Sequence, residues 1–465
     1  MMGDTEVEIT HSKKSMVSYG FGKFMTEFLN IAFGAYAFYY YEAELGLNVW
    51  LAGVGFIIFA LWNAVNDPLV GYFTNRPFKF TKKRGRRFPW IMIGGVPWVI
   101  TYILIFTPPT TDPIGGAWIL FIWLIFATCL FDFFGSIFFV NFVSLFPDKF
   151  RTEKERRKVA VISTPIGILG IALGSILPPL FITYGVLSSF VIQGSIVVII
   201  CLVALGLAIP GSRDDQIYVD RYLAKSEVGE KQEPFFKTLK KAVKQKNFQA
   251  FIATYTLYVF LTVSMTASIP YVIKYIFVKE AKAITLVMTG FLVGALISIP
   301  LWVYLAHKTD NNRRTLIIAA FTLGIFTAPM IILGDYVLII ISMFFWGIGL
   351  GGFWSMYPPT FAELIDESVV NFGKREEGIY NGILQFFGRL SFAMQAITFA
   401  IVHTLTGFDA GATTQTDLAI FGLHIHFGLI PMIAMLIGAF ILLKFYDLKP
   451  ERVKVLKRKL IELNL

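Results

Sequence analysis

Ile196 to Ile209 reads IVVIICLVALGLAI, a run with no charge and no alternation of polarity. Together with Leu187 to Ser195 before it, the block is long enough to cross a hydrocarbon core of about 30 Å as a helix rising about 1.5 Å per residue. Being apolar on every face, it needs lipid or protein all around it, and in lipid a helix satisfies its own backbone. Strands of a membrane barrel would be shorter and would alternate, so a barrel is excluded. About eleven further blocks of roughly 19 to 30 residues, one of them containing Leu338 to Leu350, repeat the pattern. The composition agrees: 56% of the 465 residues are hydrophobic and 15% charged, and the mean hydropathy of +0.66 lies outside the water-soluble range. The chain is therefore read as an all-α integral membrane protein of twelve transmembrane helices, in two bundles of six.

The spans fall near 18–40, 50–73, 88–107, 116–146, 158–184 and 187–209, then 247–277, 283–306, 315–333, 337–365, 378–405 and 418–446. The formal charge of +10 follows this topology and does not form a nucleic-acid footprint. Connections from odd to even spans (Glu42 to Asn48, Pro108 to Gly116, Gly185 to Leu187, Gly334 to Tyr336, Thr406 to Asp417) hold no Lys or Arg, with Lys279 and Lys282 the exceptions. The alternate connections carry Arg76, Lys79, Lys82, Lys83, Arg84, Arg86 and Arg87, then Lys149, Arg151, Lys154, Arg156, Arg157 and Lys158, then Lys308, Arg313 and Arg314. The positive-inside rule puts both termini in the cytoplasm, with the plasma membrane the expected location. The polar start shows no cleavable signal. Cys129 and Cys201 lie in apolar blocks, where a thiol behaves as a small hydrophobe, so no disulfide or cysteine metal site is expected.

Four units are expected: a first bundle over 1–210, a cytoplasmic linker over 211–246, a second bundle over 247–446 and a basic amphipathic tail over 447–465. An internal echo supports duplicated halves, since Gly85-Arg86-Arg87 follows the second span and Asn312-Arg313-Arg314 the eighth. In the tail, Val453, Leu456, Leu460 and Leu463 share a helical face opposite Lys454, Lys457, Arg458 and Lys459. That pattern suits the inner leaflet, the alternative being a frayed end.

An ionised side chain at mid-membrane costs at least about 2.5 to 3.5 kcal/mol, so each calls for a partner, a water-filled cavity or a function. Glu27 lies near the middle of the first span, with Lys23 and Asn30 about one turn to either side, which makes a polar stripe or a packing ion pair. In the second span Asn63 and Asp67 are four apart, and Pro68 frees a carbonyl beside them. Oxygen ligands so placed suit Na⁺ or a proton, unless Asp67 only clamps the basic loop. Asp132 and Ser136 repeat the spacing in the fourth span. Arg389, one turn after Gln385, needs an anion, which substrate, Glu27, Asp67 or a structural bridge would supply. His403, His424 and His426 read as interfacial or packed residues, the last two on different faces. Gly347-Ile348-Gly349-Leu350-Gly351-Gly352 satisfies a dinucleotide pattern only formally, because no strand precedes it. Its small residues, like Gly170 and Gly174, let helices approach closely.

Tyr19-Gly20-Phe21-Gly22 followed by Glu27, and Trp62-Asn63-Ala64-Val65-Asn66-Asp67-Pro68-Leu69-Val70-Gly71, resemble the glycoside-pentoside-hexuronide:cation symporters of the major facilitator superfamily, of which the melibiose carrier is the best-known member. The likeness continues through Gly85-Arg86-Arg87-Phe88-Pro89-Trp90, Phe353-Trp354, Glu363, Ile365-Asp366 and Gly373-Lys374-Arg375-Glu376-Glu377-Gly378. It implies the major facilitator fold and a cation-coupled sugar carrier. Glu27 and Lys23, with Trp354, Gln385 and Arg389, would then bind substrate. Asp67, Asn63, Asp132 and Ser136 would form the cation site, and Arg86, Arg87, Glu363 and Asp366 a cytoplasmic gate. The family's second-span site has two carboxylates, the first of which is here Asn63, and that loss favours H⁺, a weakened Na⁺ site or coupling through another group such as Asp132. Phe139 and Val143 stand where the melibiose carrier has Asp and Trp, and the fifth-span Arg is missing near Thr164-Pro165, which argues against a galactoside.

The expected function is H⁺- or Na⁺-coupled symport of a sugar or glycoside by alternating access. The alternatives are a Na⁺-dependent lysophospholipid transporter of the same superfamily and a non-transporting membrane sensor. No enzyme motif is present, neither HExxH nor a P-loop. The expected partners are a small-molecule substrate and membrane lipids, with no nucleic acid and no cofactor beyond the coupling ion, and the chain is expected to be a monomer.

Overall fold

The computed structural model describes residues 10–74, 76, 78–226, 243–373 and 377–462, and among them there are helices and no strand. Twelve spans follow in chain order: Lys13–Tyr39, Val49–Thr74, Phe88–Leu104, Ala117–Lys149, Glu153–Ile176 and Leu187–Ser212, then Lys246–Tyr271, Ile284–Thr309, Asn312–Thr327, Tyr336–Phe372, Glu377–Thr406 and Asp417–Phe445. Ten are long and apolar enough to cross a membrane by length and composition. The other two are the first, diluted by Lys23, Glu27 and Asn30, and the third, short at 17 residues. Side-chain caps set several starts: Ser12, Thr152, Asn311, Asp335 and Thr416 each accept from a backbone N–H in the first turn.

The first span packs on the fifth and sixth, the second on the fourth, and the third on the fourth and sixth. In the other bundle the seventh packs on the eleventh and twelfth, the eighth on the tenth, and the ninth on the tenth and twelfth. The bundles meet where the first span touches the seventh, the second the eleventh and the fifth the eighth. Moving each partner by six positions exchanges the last two pairs, which is the two-fold relation that duplicated halves produce. Glycine makes the tight crossings possible: a Cβ at Gly170 would lie 2.4 Å from the Phe24 carbonyl oxygen, and one at Gly347 would lie 2.1 Å from that of Phe291.

Both described ends of the chain and the basic connections lie at one end of the molecule, called here the near end. There Asp214 accepts from the N–H groups of Arg87 and Phe88 at 2.9 and 2.8 Å, capping the third span. Gly85 (φ +96°) passes so close to Asp214 that a Cβ would lie 2.3 Å from its Oδ2. In the same region Glu155 and Asp215 hold His11, at 2.8 and 2.9 Å, and they raise its pKa although burial alone would lower it.

The tail departs from expectation. Helix Pro450–Glu462 buries Leu456 and Leu460 against the tenth span, and Arg452 reaches Glu367 at 2.6 Å. The tenth span runs on to Phe372, past the end of its apolar block, and this overhang takes the face expected to lie on lipid. Residues 227–242 of the expected linker, Lys374 to Glu376 and Leu463 lie outside the described residues.

Candidate functional site

The second, fourth and eleventh spans bring three charged groups together between the bundles. Ser136 Oγ donates to Asp67 Oδ1 at 2.5 Å, and Arg389 Nη2 lies 3.6 Å from Asp67 Oδ2. Asp132, one turn before Ser136, accepts from Asn66 Nδ2 at 3.2 Å and lies within electrostatic range of both Arg389 and Asp67. The guanidinium offsets one of the two carboxylates, so with both ionised the cluster is short by one positive charge. A single monovalent cation or proton would make it neutral. Asn63 is buried one turn before Asp67, and its Oδ1 has no hydrogen-bond donor among the described residues.

Arg389 pairs with the Asp67 carboxylate across the interface. The Asp67 and Arg389 side chains are 19% and 23% exposed, enough to respond to an entering solute. Among the described residues the buried Nε of Arg389 has no hydrogen-bond acceptor. Gln385 sits half-buried one turn before it.

Glu27 and Lys23 do share a face of the first span, both half-buried, while Asn30 is exposed. The Glu27 charge reaches Lys23 and, from the other bundle, Tyr255, Tyr258 and Tyr357. Trp354 Nε1 donates to the Tyr258 hydroxyl at 2.6 Å, and Phe353 stacks on the Tyr258 ring with centroids 4.1 Å apart. Tyr255 lies within electrostatic range of both Glu27 and Arg389 and packs on Gly388, so the two charged groups line one interface.

Arg86, Arg87 and Glu363 each pair with residues of their own bundle. Arg86 and Arg87 pair with Asp148 at 3.4 and 3.0 Å, and Arg87 also donates to Asn141 at 3.3 Å. Glu363 accepts from Asn312 at 2.7 Å, and Asp366 lies on the same tenth span. The contacts are equivalent in the two halves, the start of the third span against the end of the fourth and the start of the ninth against the tenth. His403 and His426 are buried and touch each other, and Glu42, which the sequence places at the edge of a connection, is only 1% exposed.

The family model described as MFS/sugar transport protein matches residues 18–449. An uncharacterized symporter, YjmB, of Bacillus subtilis (strain 168) is 32% identical over 110 residues, 24% of this chain and 24% of that one. Sodium-dependent lysophosphatidylcholine symporter 1-A of Danio rerio is 28% identical over 130 residues, 28% of this chain and 23% of that one. The chain thus spans about a quarter of the length of these curated relatives. The crystal structure of a D-xylose-proton symporter has a TM-score of 0.65 at 13% identity over 93% of this chain and 97% of that one, a likeness of fold.

Proposed function

We propose, from the premise that the chain belongs to the MFS/sugar transport protein family, that it is a secondary active transporter carrying a sugar or glycoside together with H⁺ or Na⁺ by alternating access. The observation that carries this is the cross-bundle cluster of Asp67, Asp132 and Arg389, two carboxyl groups facing one guanidinium. A cation bound between the carboxylates weakens the hold of Asp67 on Arg389, and the guanidinium then turns its free donors to substrate. Glu27 accepts from sugar hydroxyls, Trp354 stacks on a sugar face, and Lys23 and Gln385 complete the pocket. Arg86, Arg87, Glu363 and Asp366 act at the gate on the near end, which is cytoplasmic by its basic connections, in a plasma-membrane protein.

A second reading has one observation in its favour, a relative named as a sodium-dependent lysophosphatidylcholine symporter. In that case Arg389 meets a phosphate. Counterflow in proteoliposomes separates the two. Exchange of a labelled sugar or glycoside is expected, stimulated by an H⁺ or Na⁺ gradient, and exchange of labelled lysophosphatidylcholine alone would replace the sugar assignment. Absence of exchange for every solute tested would favour a non-transporting sensor.

A further inference from the structure

The far end of the molecule holds a second buried polar chain, remote from Asp67 along the spans. Three helices change there to π-helical turns: Tyr40–Glu44, Val272–Ile276 and Ile425–Leu429. Each turn carries ionisable residues, namely Glu42 and Glu44, Lys274, and His426. A π-turn gives up regular hydrogen bonding, and such turns gather at functional sites.

Glu42 belongs to the first bundle, and its two hydrogen-bond partners belong to the second. Tyr271 Oη donates to Glu42 Oε2 at 2.5 Å, and His403 Nδ1 lies 2.5 Å from Glu42 Oε1. The chain continues from His403 Nε2 to His426 Nε2 at 3.1 Å, from His426 Nδ1 to Ser268 Oγ at 2.7 Å, and from Ser268 Oγ to the Ser264 carbonyl at 2.6 Å. Phe408 covers His403 and Phe399 covers His426, each with centroids 4.3 Å apart.

Hydrogen counting gives this chain two complete states. Two ring nitrogens facing each other need one hydrogen between them, and His403 Nδ1 must donate to the Glu42 carboxylate. In the first state Ser268 donates to His426 Nδ1, His426 Nε2 donates to His403, and both rings are neutral. In the second, Ser268 donates to the Ser264 carbonyl, His426 Nδ1 donates to Ser268, and His403 carries hydrogens on both nitrogens. The second state holds one more proton on the same heavy-atom positions, and it pairs an imidazolium with Glu42.

The other charged and titratable groups facing the chain are Glu44, Lys274, Tyr39, Tyr184, Tyr275, Asp409 and His424. Lys274 and Glu44 pair at 3.0 Å, and Tyr39 donates to Glu44 at 2.7 Å. Tyr184 donates to the Pro270 carbonyl at 3.2 Å, and His424 Nδ1 lies 2.9 Å from the Met330 carbonyl oxygen. Tyr275 lies within electrostatic range of Glu42, Glu44 and Asp409. With Lys274 and Glu44 balancing each other, the chain has a net charge of minus one without the added proton and zero with it. A buried neutral pair is less costly than a buried lone charge.

We propose that Glu42, His403 and His426 form a one-proton site separate from the Asp67 cluster, which holds its proton while the far end is closed and releases it when the bundles part there. Opening carries Glu42 away with its own bundle, and His403 then loses the anion that keeps its second proton. Acid therefore favours closure, by up to about tenfold in the closed-to-open ratio per pH unit for one linked proton. The proposal rests on the alternating-access reading and needs no assumption about the solute.

The test uses spin labels at Ile114→Cys and Ile332→Cys, exposed far-end residues of opposite bundles, with Cys129 and Cys201 replaced by alanine. The distance distribution of the full chain in lipid nanodiscs is read between pH 5 and 8. The parent is expected to shift from short to long distances as pH rises, and His424→Gln is expected to shift with it. His403→Gln and Glu42→Gln are expected to respond at least fivefold less per pH unit. A parent that does not respond, or His403→Gln and Glu42→Gln variants that respond as the parent does, would overturn the proposal. If these variants do not fold, the parent is compared with His426→Gln, whose undiminished response would also overturn it. Counterflow run in parallel reads transport itself, so a gate that responds to pH without solute exchange refutes the transport reading and leaves the proton site standing.

Discussion

Asp67→Asn removes a charge from the cross-bundle cluster and leaves its shape nearly unchanged. At 3.6 Å from Arg389 Nη2, and with an effective dielectric constant of about 20, the attraction lost is roughly 4 to 5 kcal/mol before solvent is counted. Both side chains retain about a fifth of their exposure, and Asp132 still faces the guanidinium, so the net cost to the fold comes to about 1 to 3 kcal/mol. The protein is expected to fold and to exchange solute. What it loses is the driving ion. One monovalent cation falling through 100 mV supplies about 2.3 kcal/mol, enough for roughly 50-fold accumulation of a neutral solute. Proteoliposomes with an imposed potential are therefore expected to show accumulation of that order for the native chain and none for Asp67→Asn, with counterflow preserved in both. Uphill accumulation persisting in the variant would refute the assignment of Asp67 as the ion's carboxylate.

Glu27→Gln is expected to weaken solute binding about 10- to 100-fold by removing a charge-assisted acceptor, with little change in melting temperature, and a ligand-induced thermal shift measures it. Gly85→Ala places a methyl group 2.3 Å from Asp214 Oδ2 at a φ of +96° and should cost about 1 to 3 kcal/mol, read as a lowered melting temperature. The pKa of His11 is raised in the folded protein, so its stabilising contribution is fully present below its ordinary value of about 6.5 and fades as pH rises through the raised value. The melting-temperature deficit of His11→Asn should accordingly be largest in acid and shrink in base, and a deficit independent of pH would contradict the pairing with Asp215 and Glu155.

The spans were legible because hydrocarbon tolerates so few arrangements of backbone and charge. Even so, the first span stands out less in composition than its neighbours, since it holds Lys23 and Glu27, and the Glu27 charge reaches tyrosines of the other bundle. Spacing of four residues indicated that Asn63 with Asp67, and Asp132 with Ser136, would each share a face. It gave no sign that Asn66, turned toward the fourth span, is what holds Asp132. Glu42 was hidden for another reason: the π-turn Tyr40–Glu44 carries the helix past the point where hydropathy falls, so a buried carboxylate reads as the edge of a connection. The meeting of His403 with His426 depends on how two spans pack, which helical spacing within either span does not encode. The tail was misjudged because an amphipathic face specifies an apolar partner without saying whether it is lipid or the end of the tenth span.

Away from the Asp67–Arg389 pair, the fit between the second and eleventh spans is smooth. Gly53 faces Ala400, with a Cβ-to-Cβ approach of 3.4 Å were Gly53 an alanine, and the rings of Phe59 and Phe392 meet edge-on with centroids 6.1 Å apart. Dispersion forces at such a surface change gradually with angle, so small rotations there cost little. The far end differs, because the bonds of Glu42 to Tyr271 and His403 and of Glu44 to Lys274 join the two bundles there and are either made or broken. A slippery fulcrum beside a single snapping catch gives a rocker that is either latched at that end or free to turn.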